Sequence, residues 1–212
     1  MSEITWLGHS CFRIKSKDAV IITDPYDKSV GLGTLNQKGD IVTVSHDHPG
    51  HNAVASVKSE PYVVNGPGEF EVRNIFVTSI WSFADDNKGA ERGRNCIFLF
   101  HLDDLVVCHL GSLGHTLNTQ QIEAIGEVNV LLLPIDENTS LTATRAAEVI
   151  SQLEPHIVIP MHYSAANGAG TEMLEKFTKE MGIKEYTPQD KLVAKSSDFD
   201  EGTRVVVLEA RT

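Results

Sequence analysis

The chain has 212 residues, 41% of them hydrophobic, so it is long enough for one sizeable core and reads as a single globular domain over residues 1–212. Eighteen basic residues against 29 acidic ones leave a formal charge of −11, which repels polyanions; the only basic clusters, Lys15 with Lys17 and Arg92 with Arg94, read as solvated faces, so general nucleic-acid binding is excluded. No apolar run approaches the roughly 20 residues of a membrane span, and Met1 to His9 lacks a basic-then-apolar leader, so the expectation is a cytoplasmic protein with no membrane partner.

The first elements are strands. Phe12-Arg13-Ile14-Lys15 alternates apolar and polar residues, and Ala19 to Thr23 is a continuous run rich in β-branched residues leading to Asp24-Pro25, where Asp24 reads as a turn cap. Residues 26–39, with three glycines and no periodicity, form a loop suited to covering a pocket mouth. Ile41 to Val44 is a short buried strand. Immediately beyond it come His46, His48 and His51, gathered by the Pro49-Gly50 turn. Residues two apart on an extended chain point to one face, and neutral imidazole is the commonest protein ligand for zinc, so this spacing suits a metal site.

Asn52 to Val57 reads as a short helix capped by Asn52. Strands follow at Pro61–Val64, Glu69–Val72 and Ile75–Ile80, then a charged surface loop at Asp85–Asn95 whose Asp85 and Asp86 are either solvated or available as ligands. Cys96–Leu102 and Leu105–Leu110 flank Asp103-Asp104 as a hairpin. Helical patterns at Thr119–Ile125, Thr142–Leu153 and Thr171–Met181 alternate with buried strands at Val130–Leu133 and Ile157–Ile159, and strands at Lys191–Lys195 and Arg204–Leu208 end the chain. This strand-then-helix order, given twice without a linker, predicts an α/β protein of two facing sheets with helices outside. Cys11, Cys96 and Cys108 lie in apolar stretches with no Cys-x-x-Cys pair and are expected as reduced core thiols, a place for Cys108 at the site being the alternative.

The run His46-Asp47-His48-Pro49-Gly50-His51 resembles the His-x-His-x-Asp-His signature of the metallo-β-lactamase superfamily. Thr5–Phe12, Thr23-Asp24-Pro25, His109–His115 and Pro160-Met161-His162-Tyr163 agree with it, and together they resemble the branch of L-ascorbate-6-phosphate lactonase-like zinc hydrolases. The resemblance implies a four-layer αββα sandwich with a metal site at one edge. It assigns His46 and His48 to a first metal, His51 and His162 to a second, and Asp24 to a buried carboxylate that holds the histidine loop. Asp47, His9 and His115 are implied as supporting or pocket residues, and His109 as a strand-end hydrogen bond.

The pattern departs at three ligand positions. Gly50 and Ser112 stand where the family has aspartates, and Ala84 where it has a histidine. Four neutral imidazoles without a carboxylate ligand do not balance two dications, so the expectation is one zinc ion or none. Two functions follow. One is a weak or mononuclear zinc hydrolase of a small ester, lactone or phosphoester; the other is a non-catalytic relative that binds a small anion or serves as an assembly subunit, in an oligomer or alone. Nothing resembling Gly-x-Ser-x-Gly surrounds Ser112, which argues against a Ser-His hydrolase.

Overall fold

The computed structural model describes residues 1–102, 104–163, 169–195, 197, 199 and 201–211. The first sheet has six strands in the order β12 (Leu192–Ala194), β1 (Ser2–Gly8), β2 (Cys11–Lys15), β3 (Val20–Thr23), β4 (Ile41–Thr43) and β5 (Tyr62–Val64). The second has seven, in the order β13 (Arg204–Val205), β11 (Ile157–Met161), β10 (Val130–Pro134), β9 (Leu105–His109), β8 (Arg94–Leu102), β7 (Ile75–Phe83) and β6 (Gly68–Val72). Both sheets are mixed. In the first, β3, β4 and β5 run parallel while β12, β1, β2 and β3 alternate; in the second, β6 to β9 form an antiparallel meander and β9, β10, β11 and β13 run parallel.

Composition explains where each strand sits. Val130-Leu131-Leu132-Leu133-Pro134 is buried along its whole length, as a parallel strand covered on both faces must be. Strand β7 alternates instead, and its Phe76 and Trp81 reach solvent near the open edge. Between the sheets, Ile4, Trp6, Phe12 and Ile14 from the first pack in one cluster with Phe98, Phe100, Leu131 and Ile159 from the second.

Helices α1 (Thr119–Ile125), α2 (Ala143–Leu153) and α3 (Ala169–Glu180) follow β9, β10 and β11. Right-handed crossovers between the parallel neighbours β9, β10 and β11 place α1 and α2 on the outer face of the second sheet, and α3 packs beside α2. The starts of α1 and α2 were readable, since Asn118 and Gln121 form a reciprocal capping box and the Thr142 hydroxyl accepts the Arg145 N–H, whereas α3 begins two residues before the expected Thr171. Over the first sheet the outer layer is thin, built from the 26–39 loop and two 3-10 turns, Lys28–Val30 and Val54–Ser56; Tyr26, Leu35 and Val57 seal Leu7, Ile22 and Val42. The expected layering of two facing mixed sheets with helices outside thus holds, with the described α-helices on the second sheet and 3-10 turns on the first.

Several local expectations change. The helix expected at Asn52–Val57 is a single turn, and Asn52 does not cap it, because its amide donates to Asp47 Oδ1 at 2.7 Å. Residues Ser2–Gly8, read for their motif, form a full strand. The terminal strands shorten to Leu192–Ala194 and Arg204–Val205. Asp103 of the expected hairpin turn lies outside the described residues, although Leu102 and Leu105 pair across it. None of the described helices is long and apolar enough to cross a membrane. All three cysteines are buried and free; burial pushes the Cys108 thiol far up, and Cys108 does not line the cavity that the histidines share.

Candidate metal centre

Six strands that run in one direction end on the same rim, and each delivers a polar residue there. His9 follows β1, Asp24 follows β3, His46 follows β4, Ser112 follows β9, Asp136 follows β10 and His162 follows β11. In open α/β sheets the crevice beyond the carboxyl ends of the strands is the usual ligand site. Three of these residues, His9, Asp24 and His162, adopt left-handed backbone angles (φ 52°, 40° and 64°), a conformation that side-chain-bearing residues keep only where surrounding contacts impose it. Those contacts are visible. The His9 carbonyl accepts the Trp6 indole N–H at 2.9 Å and the His162 backbone N–H at 3.0 Å, tying the first turn of the chain to the last of these strand ends.

Donor atoms of His9, His51 and His162 all lie within 4.8 Å of one another, a set able to hold one metal ion. No Asp or Glu joins this set among the described residues. The partners of each ring fix which nitrogen faces the cavity. His51 Nδ1 lies 2.8 Å from Asp24 Oδ2 and must donate to it, which leaves the Nε2 lone pair pointing inward. On the other side, His162 Nδ1 sits 3.5 Å from the Thr139 hydroxyl and 3.7 Å from Asp136 Oδ2, and the Thr139 hydroxyl itself donates to Asp136. The two Nε2 atoms face each other at 3.3 Å. Two lone pairs at that distance repel, so a proton or a cation must lie between them.

The electrostatics agree. Burial holds His9 far below the ordinary imidazole range, helped by His162, His51 and His48, and burial takes His51 down to about 4 against the opposing pull of Asp24. Burial would raise Asp24, but His109 and the hydrogen bonds from His51 and Ser45 keep it below its ordinary value. Asp136 is held at about 2, burial being outweighed by His162, the Asn138 N–H and the Thr139 hydroxyl. Neutral imidazoles backed by ionised carboxylates are the state in which a cation binds.

His46 and His48 line the same cavity, of about 470 Å³, but stand outside the tight set. His46 donates Nδ1–H to the Arg94 carbonyl at 2.9 Å and keeps Nε2 free. His48 differs, because its Nδ1 accepts the Gly50 N–H at 3.1 Å; its proton is therefore on Nε2, and it cannot ligate through that atom while the bond persists. His9, expected only to line the pocket, takes the third place. A methyl group built on Gly50 would lie 2.8 Å from His9 Nε2, so the missing side chain is what gives that ring room.

Other expected residues move outward. Asp47 is exposed and engages Asn52, facing a neighbouring groove rather than the histidines. His115 does not line the cavity: its Nδ1–H donates to the Thr116 carbonyl and its Nε2 accepts the Phe83 N–H, so it fastens two loops. His109 makes the expected strand-end bond, to the Ser10 carbonyl at 2.9 Å. Ser112 does line the cavity, whereas Ala84 is fully buried and does not. Asp85 supplies no substitute ligand because its carboxylate turns back on its own loop, and Asp86 pairs with Arg145. Asp136 was not among the residues expected from the sequence, although a carboxylate shortly beyond a buried strand repeats the placement of Asp24.

A profile of the beta-lactamase superfamily domain matches residues 3–162. The crystal structure of a Thermotoga maritima protein, described as a Zn-dependent hydrolase of the metallo-β-lactamase superfamily, superposes with a TM-score of 0.80 at 31% identity and covers 98% of each chain. The chain belongs to the metallo-β-lactamase superfamily. Among curated members it is similar to a UPF0173 metal-dependent hydrolase of Desulforamulus reducens, 25% identical with 76% of this chain and 84% of the relative covered. A UPF0173 protein of Pyrococcus abyssi is 27% identical, with 80% and 87% covered.

Proposed function

We propose that this superfamily member is a metal-dependent hydrolase working with one zinc ion, held by His9, His51 and His162, on a small ester, lactone or phosphoester. The observation that carries the reading is the opposed pair of Nε2 atoms on His51 and His162, 3.3 Å apart, each ring backed on its other nitrogen by a carboxylate side. Relatives described as zinc- or metal-dependent hydrolases support it. Zinc bound by three imidazoles supplies Lewis-acid polarisation and a water acidic enough to attack near neutral pH.

The protein's own groups do the rest. Asp24 keeps His51 in the tautomer that presents Nε2, and Thr139 with Asp136 does the same for His162. His46, with Nδ1–H committed to Arg94 and Nε2 open to the cavity, is placed to take a proton from the attacking water. One ion rather than two follows from Gly50 and Ser112, which bring no anion to the rim; the lactonase-like branch of the superfamily would supply two there.

Those same two residues favour the competing reading, a non-catalytic relative that uses the cavity for binding. Metal analysis separates them. After exposure to zinc and buffer exchange, the chain should retain about one zinc, and His51→Ala should remove it. Retention near zero in the unaltered chain overturns the hydrolase reading. A panel of lactones and phosphodiesters then identifies the reaction.

A further inference from the structure

Beside the histidine cavity lies a larger groove, of about 720 Å³, and the two share His46 and Arg92 along their common wall. Each has the capacity of a small-molecule site, whose usual volume is roughly 300–1,000 Å³. The groove has an apolar side, from Val54, Val63 and Trp81, and a cationic one, from Arg92 and Arg94. Trp81 is 42% exposed, and the Arg94 guanidinium carbon sits 5.1 Å from its ring centroid, so the guanidinium lies over the indole in a cation–π contact.

The two arginines stand out in a chain with so strong an acidic excess. Of the seven arginines, Arg13, Arg73, Arg145 and Arg211 each meet a carboxylate, whereas among the described residues Arg92, Arg94 and Arg204 form no ion pair, and of these only Arg92 and Arg94 line the groove. Nearby acids do not neutralise them: Asp47 is engaged by Asn52, and Glu91 lines the histidine cavity without an ion pair. Arg92 is also held in place. Its Nε–H donates to the Ala84 carbonyl at 2.8 Å, and its backbone N–H is one of four that converge on the buried Asp85 carboxylate, the others coming from Asn87, Gly89 and Glu91. Fixing Nε leaves the two terminal amino groups as a fork, the geometry that receives a carboxylate or phosphate with two hydrogen bonds. Of the short pair read from sequence as a solvated face, Arg92 is instead half-buried, while Arg94 stays exposed.

Resting on the hydrolase reading, we propose that this groove is its recognition subsite and that it selects an organic oxyanion carrying a planar or apolar group. The carboxylate or phosphate lies on Arg92, the planar part on Trp81 and Arg94, and the scissile bond reaches the histidines past His46. A neutral substrate of the same shape forgoes the fork.

Calorimetric titration with benzoate, phenyl phosphate and neutral benzyl alcohol tests this on the intact, metal-free chain, where the histidines hold no ion to attract an anion. At least one anion should bind about tenfold or more tightly than the alcohol, and Arg92→Met should erase that margin while Arg92→Lys keeps part of it. Which anion binds separates carboxylate from phosphate recognition. Equal binding of all three probes overturns the proposal, and so does an anion preference that survives both Arg92→Met and Arg94→Met. If Arg92→Met does not fold, the selectivity of the unaltered chain and of Arg94→Met decides. Anion selectivity without zinc retention would sink the hydrolase reading and leave a binding groove; zinc-dependent hydrolysis without anion selectivity would sink this proposal alone.

Discussion

At the scale of the residue, the site is governed by what Gly50 lacks. A Cβ there would press on His9 Nε2 at 2.8 Å and on His48 Nδ1 at 3.3 Å. Gly50→Ala should therefore displace His9 from the donor set and weaken zinc binding by about tenfold or more, read by competition with a chromophoric chelator, while leaving thermal stability nearly unchanged. Asp24 acts from behind. It accepts the Ser45 N–H and hydroxyl as well as His51 Nδ1–H, so Asp24→Asn replaces an acceptor with a donor at a fully buried point. The expected result is a loss of about 2–3 kcal/mol in urea unfolding together with a loss of about 10–100-fold in zinc affinity.

At the scale of the element, the segment between β7 and β8 is organised by one side chain. Asp85, 1% exposed, accepts four backbone N–H groups, and these hold its carboxyl at about 2 although burial opposes it. An unfolded aspartate titrates near 3.9, so the folded state binds this proton less readily. Its stabilising contribution is complete above about pH 4 and disappears as pH falls toward 2. Asp85→Asn should be less stable at pH 7, and across that acid window its stability should fall less than that of the unaltered chain, as measured by denaturant midpoints. Hydrogen exchange in residues 85–94 should rise in the same variant.

The elements themselves were largely legible, because an all-apolar run such as Val130–Leu133 and a cap such as Asn118 are local signals. Ser2–Gly8 was less so, since buried Ser2 and Thr5 blur the alternation that marks a strand. The site was legible in part. The Pro49-Gly50 turn announced its own histidines, but the entry of His9 and Asp136 depends on where distant strands end, and the engagement of His48 Nδ1 depends on one backbone N–H, that of Gly50. The approach of His9 to His162, 153 positions away, has no short-range trace in sequence.

At the scale of the molecule, the two sheets share one core and the chain closes on itself. Strand β12 pairs with β1, Lys191 meets Glu3, and the Arg211 N–H donates to the Trp6 carbonyl, next to the turn that carries His9. Leu192 is 5% exposed and opposite Ile4 in that pairing. Leu192→Ala should cost about 2–4 kcal/mol and shift far-ultraviolet circular dichroism and zinc release together, in a single transition. Separate midpoints for the two signals would show that the sheets unfold independently.

The hydrogen bond from the His162 amide to the His9 carbonyl also dictates when an ion can be captured during synthesis. The three imidazoles belong to positions 9, 51 and 162, so a ribosome-bound fragment ending before the last of them has no complete cradle, however well its first sheet has formed. On the proposed zinc reading, uptake is a late event that reports finished assembly, and an amino-terminal half expressed alone is expected to hold no zinc.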